Sequence, residues 1–125
     1  MNWLSKELIL DMHDQLLAET GGSTGVRDES LLESALNAPL QVFDGMELFP
    51  SVVEKAVRLS FGLSANHAFV DGNKRISALA LLIVLQINKM PLRQLQKGEL
   101  SEIFLKVADG SADYEELLRW TKERI

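Results

Sequence analysis

Apolar residues recur at three- and four-residue spacing along almost the whole chain, and this is the signature of amphipathic helices. Leu8, Ile9, Met12, Leu16 and Leu17 fall on one stripe behind Ser5, which can cap a first helix that Gly21-Gly22 stops. The stretch through Gly25 reads as a loop. Asp28 caps a short helix carrying Leu31, Leu32, Ala35 and Leu36, ended by Pro39. Residues 40–50 have no clear period and fit a loop or a short strand pair. Ser51 and Glu54 form a capping box after Pro50, opening a helix with Val53, Ala56, Val57, Ser60, Phe61 and Ser64 on one face, expected to reach about Asn66.

After a break at residues 67–72, ISALALLIVLQI is apolar nearly all round, as expected of a helix buried in the middle of a bundle. Asn88 and Pro91 end it. Two more helices follow, about 98–109, stopped by Gly110, and about 112–124, opened by Asp113 with Glu116 three residues on. No convincing alternating run, internal repeat or low-complexity segment is present. The pattern predicts an all-α, compact single domain spanning residues 1–125, with six or seven helices around one hydrophobic central helix.

Composition narrows the chemistry. A chain of 125 residues, 46% hydrophobic and 25% charged, has the makeup of one ordinary globular domain. Its formal net charge of −5 argues against a face that grips nucleic-acid backbones, and no helix has the basic face of a helix-turn-helix DNA reader. The absence of cysteine excludes disulfides, thiolate catalysis and cysteine metal sites. His13 and His67 lie too far apart in sequence to suggest a histidine-rich metal site. The N-terminal residues lack the features of a signal peptide, and the longest apolar run is too short to span a bilayer, so the expected location is cytoplasmic with no membrane contact.

One segment does not read as scaffold. His67-Ala68-Phe69-Val70-Asp71-Gly72-Asn73-Lys74-Arg75 packs an imidazole, a carboxylate, a glycine, an amide and two cations just before the central helix. A helix start offers unpaired N–H groups and the positive end of its dipole, a ready anion site. Gly72 permits positive φ and close backbone approach. Asn73 can cap the helix or donate its amide to phosphate, and Lys74 and Arg75 can neutralise phosphate charge. Asp71 suits Mg²⁺, which takes few protein carboxylates. His67 is the natural general base near neutral pH, and Phe69 turns inward as an anchor. Any one of these residues alone would be read first as a polar connection. Six specified residues in nine positions arise by chance with a frequency on the order of 10⁻⁸ per start site.

HAFVDGNKR resembles the signature loop of the Fic fold, and the variant with Lys before the final Arg resembles the death-on-curing toxins of bacterial toxin–antitoxin modules. LDMHDQLLAETGG, GVRDESLLESAL and the capped helix leading into the motif are also similar to that family, so the resemblance runs from about residue 7 to residue 120. It implies that His67 takes a proton from a target hydroxyl, Asp71 holds Mg²⁺, Gly72, Asn73, Lys74 and Arg75 bind phosphate, and Phe69 is structural. Fic adenylyltransferases usually have Gly where Lys74 stands and a second Arg where this chain has Ala78. In the death-on-curing branch the lysine goes with a reversed nucleotide and transfer of the γ-phosphate. The resemblance thus implies a kinase that uses ATP to phosphorylate a threonine of translation elongation factor Tu. It also implies a cognate antitoxin whose C-terminal segment folds as a helix on this surface. The alternatives are a Fic-type adenylyltransferase, favoured by Gly72, and a non-catalytic nucleotide-binding or interaction module. No P-loop, G-x-G-x-x-G, eukaryotic kinase signature or G-x-S-x-G elbow occurs.

Outside the motif, His13 is expected to be a structural histidine at the core edge, and Arg27-Asp28 first a helix cap with a local ion pair, with a role at the mouth of the site as the lesser reading. Trp3, Trp120, Phe43 and Phe49 are expected in the core or its rim, unless one or two line a groove for a partner helix.

Overall fold

The computed structural model describes residues 1–125. Six α-helices appear in the expected order: α1 (Lys6–Thr20), α2 (Glu29–Asn37), α3 (Val52–Ala65), α4 (Asn73–Ile87), α5 (Glu99–Asp109) and α6 (Tyr114–Lys122). A 3₁₀ turn, Ala38–Leu40, follows α2 with Pro39 inside it. Four helices begin at the caps the sequence marks. Ser5 accepts from Leu8 N at 3.1 Å and Asp28 from Leu31 N at 3.0 Å. Ser51–Glu54 and Asp113–Glu116 each form a complete capping box.

The segment without a period is a small hairpin. β1 (Val42–Phe43) pairs antiparallel with β2 (Met46–Glu47) across an Asp44-Gly45 turn, with both turn residues at positive φ. Its side chains face out: Phe43 is 75% exposed and Met46 73%. Phe43 is therefore neither core nor rim, because a two-residue strand projecting from the body has no second layer to cover it.

The hydrophobic helix α4 buries Ile76, Ala80, Leu81, Val84 and Leu85. It packs most extensively on α3, whose own buried face carries Val53, Ala56, Val57, Leu59 and Leu63. The seven residues between these helices return the chain antiparallel, as short connections do. Phe104 and Val107 of α5 and Leu117 of α6 close the core from the C-terminal side. Phe49 packs edge-on to Tyr114 at 5.4 Å, Trp3 lies half-buried against the core, and Trp120 lies beneath the Arg124 guanidinium at 4.3 Å. No helix is long and apolar enough to cross a membrane.

The α3–α4 connection is tied to the start of the chain. Residues 25–28 run antiparallel to it, with Val70 N donating to Gly25 O at 3.0 Å and Arg27 N to Ala68 O at 2.7 Å. This pairing positions the whole motif.

Candidate functional site

Phe69 is 1% exposed and stacks on the His13 ring, with centroids 3.8 Å apart and planes 16° from parallel. His13 is equally buried, deeper than the core edge expected for it. Its Nε2 lies 2.7 Å from the Asp71 carbonyl. A carbonyl oxygen can only accept, so Nε2 carries the proton and the imidazole fastens the motif to α1. Nothing in the local sequence around His13 marks this role.

Gly72 has φ +75° and precedes α4 with no side chain capping the helix. A Cβ there would lie 2.7 Å from Leu17 Cδ2 and 3.5 Å from His13 Nε2, so both the backbone angle and the α1 packing require glycine. The first-turn N–H groups of α4 therefore remain open toward the connection.

The Asn73 side chain is partly committed within the loop. Its Oδ1 accepts from Phe69 N and its Nδ2 donates to Phe69 O, each at 3.0 Å, so the amide clamps the loop and keeps one of its two N–H donors uncommitted. Arg75 is also partly committed. Its guanidinium donates to Thr20 Oγ1 and to Gly21 O at 2.8 Å, and lies 3.5 Å from Asp71 Oδ1. The Asp71 carboxylate accepts from Gly72 N at 2.8 Å and from Ser23 N at 3.3 Å, while about half of its side-chain surface stays open. Lys74 reaches across to α5, with Nζ 3.5 Å from Ser101 Oγ.

His67 follows the end of α3 with φ +49°, a left-handed conformation that costs a non-glycine residue energy. Arg27 holds it there: Nε donates to the His67 carbonyl at 2.7 Å and Nη2 to the Asn66 carbonyl at 3.3 Å. The local ion pair expected for Arg27 and Asp28 does not form, because these carbonyls at a helix C-terminus hold the guanidinium instead. The cap does form. The Ser30 hydroxyl and then the Leu31 N–H hold the Asp28 carboxyl below the usual carboxylate range. Arg27 is thus a positioning residue beside the site, nearer the lesser of the two readings its sequence allowed.

These residues surround a cavity of about 360 Å³. His67 and Ser64 form its α3 side, Asp71–Arg75 its floor at the head of α4, and Ala108 its α5 side. The motif residues expected in the site, His67 and Asp71–Arg75, all line it, and Phe69 turns inward as expected. No cluster of three carboxylate or histidine ligands exists, and Asp71 supplies a single carboxylate with open lone pairs. That donor set fits Mg²⁺ completed by phosphate oxygens and water, and fits no all-protein metal cage. A larger groove of about 810 Å³ runs between α5, α6 and residues 93–97, where Arg124 pairs with Glu99 and Lys106 with Glu102, and it holds no histidine. The smaller cavity has the imidazole, the carboxylate and the open helix end together.

A profile described as the Fic/DOC family matches residues 3–85. Over 86 residues the chain is 40% identical to a protein named Toxin Doc from Mycolicibacterium smegmatis, a stretch that makes up 66% of each. The comparison thus spans about two thirds of that protein.

Proposed function

On the premise that this chain belongs to the Fic/DOC family, we propose that it is the toxin of a toxin–antitoxin pair and acts as a protein kinase, using ATP to phosphorylate a threonine of translation elongation factor Tu. The observation that carries this reading is the meeting of His67, Asp71, Lys74 and the open N-terminus of α4 on one cavity. His67 takes the proton from the threonine hydroxyl. The freed oxygen attacks the γ-phosphorus, the bond to the bridging oxygen breaks, and ADP leaves with that electron pair. Backbone N–H groups of residues 73–75 and the Lys74 ammonium stabilise the charge on the transferring group. Asp71 would hold Mg²⁺, which neutralises phosphate charge when bound.

One feature favours phosphoryl over adenylyl transfer, and the one that pointed the other way is neutral. Ala78, where an adenylyltransferase has its second arginine, packs against the core and offers no charge. Gly72, the residue that favoured the adenylylating branch, is explained by Leu17 packing beneath it and so says nothing about which phosphate reacts. A toxin of this type acts with an antitoxin, whose C-terminal segment folding as a helix onto this surface is part of the same reading. Action would be in the cytoplasm, on protein and not on nucleic acid.

Elongation factor Tu incubated with this protein, ATP and Mg²⁺ is expected to gain the mass of one phosphate, and to gain none with His67→Ala. A gain of a nucleotide monophosphate would move the chain to the adenylylating branch. In cells lacking the antitoxin, expression should stop growth and His67→Ala or Asp71→Ala should restore it. Full toxicity of either variant would refute the catalytic assignment.

A further inference from the structure

Four hydroxyls are completely buried within helices: Ser60, Ser64, Ser77 and Thr121. Three of them donate to a carbonyl of their own helix, Ser60 to Val57 O at 3.1 Å, Ser77 to Asn73 O at 2.6 Å and Thr121 to Leu117 O at 2.8 Å. This back-bonding is the ordinary fate of a helical hydroxyl. Ser64 Oγ does not follow it, and it is the one buried side-chain polar atom without a hydrogen-bond partner. Ser64 is also a wall of the cavity that holds His67, Lys74 and the head of α4.

A buried hydroxyl with no partner forfeits its hydrogen bond with water and gains nothing inside the protein. Its position explains why the loss is tolerated. The other polar groups of this cavity are the His67 imidazole, the Asp71 carboxylate, the first-turn N–H groups of α4 and the cations of its floor, and donors at the head of α4 outnumber the one carboxylate. A group that satisfies these donors is an acceptor rich in oxygen and negatively charged. The same group would satisfy a donating hydroxyl on the α3 side, in a bond strengthened by charge.

We propose that Ser64 is a phosphate-binding residue of this site, its Oγ–H donating to a phosphoryl oxygen held at the N-terminus of α4. This rests on the reading of the cavity as a nucleotide site. Ser64 would complete from α3 a cradle that the motif builds only from α4.

Because the hydroxyl has no internal partner, Ser64→Ala should fold at least as stably as the parent chain while binding phosphate less well. The experiment is calorimetric titration of both proteins with ATP and with inorganic tripolyphosphate, each with Mg²⁺, beside their thermal melts. The expected result is affinity reduced on the order of tenfold for both ligands, with a melting temperature unchanged or raised. Equal affinity in the two proteins would overturn the role of Ser64 and leave the nucleotide site standing. Weakening for ATP alone would also overturn it, placing the hydroxyl on the nucleoside. A fall in melting temperature alongside affinity would make Ser64 a structural residue. A parent chain that binds neither ligand would overturn the nucleotide reading itself.

Discussion

Leu17 lies directly beneath Gly72, and the two set a limit on each other. Gly72→Ala must accept a left-handed backbone and a methyl group driven into Leu17, and we expect it to cost about 2–4 kcal/mol of stability. Leu17→Ala alone empties core volume at a cost of roughly 2–5 kcal/mol. The double variant should lose less than the two costs together, since the smaller residue 17 makes room for the methyl group. Urea unfolding of the three variants measures this coupling, and strict additivity would show that the contact is not what holds position 72. At this scale the sequence was partly legible. His67, Asp71, Gly72 and Phe69 stand where their types suggested. Asn73 and Arg75 are half spent on holding the loop, the tasks of Arg27 and His13 could not be specified, and Ser64 could not be picked out. Their importance comes from partners 40 to 58 residues away, or from a missing partner, and neither leaves a local pattern.

The helices were legible because each carries its own start signal and apolar stripe, and these act within a few residues. The β1–β2 hairpin was legible only as one of two readings, a loop or a short strand pair, since two residues per strand are too few to show a period. What sets its place is Lys55 of α3, a 4% exposed cation whose Nζ donates to the Phe49 carbonyl and pairs with Glu47 at 3.1 Å. Tyr114, the first residue of α6, joins the same region, its hydroxyl donating to Glu54 O at 3.2 Å. Burial, with the Glu54 charge adding to it, pushes its phenol from 10.0 up to about 12. Below pH 10 folded and unfolded chains both keep this proton, so the group does not make stability depend on pH. Between 10 and 12 only the folded chain keeps it, so stability falls as pH rises through that window. Tyr114 is the chain's one tyrosine, and its tyrosinate absorbance reports the titration alone. The midpoint should lie well above 10 in native protein and return to about 10 in denaturant; a native midpoint near 10 would refute the burial argument.

Across the whole molecule, the family profile ends at residue 85, yet the fold does not. Phe104 and Leu117 are fully buried and Val107 nearly so, all beyond that limit. A chain cut after Ile87 keeps the entire motif but exposes the α3 and α4 surfaces that α5 and α6 cover. It should lose its cooperative melting transition by circular dichroism, and a sharp transition would mean that the first four helices are a self-sufficient unit. The cavity itself draws on both ends of the chain, on residues 13–27 for its fastening and on Ser101 and Ala108 for its far side. Synthesis runs from the N-terminus, so a growing chain that has emerged through Arg75 displays every motif residue while the far side of the cavity does not yet exist. On the proposed activity, a half-made copy on the ribosome is harmless to the translation machinery that is making it, and the finished site appears only when α5 folds into place.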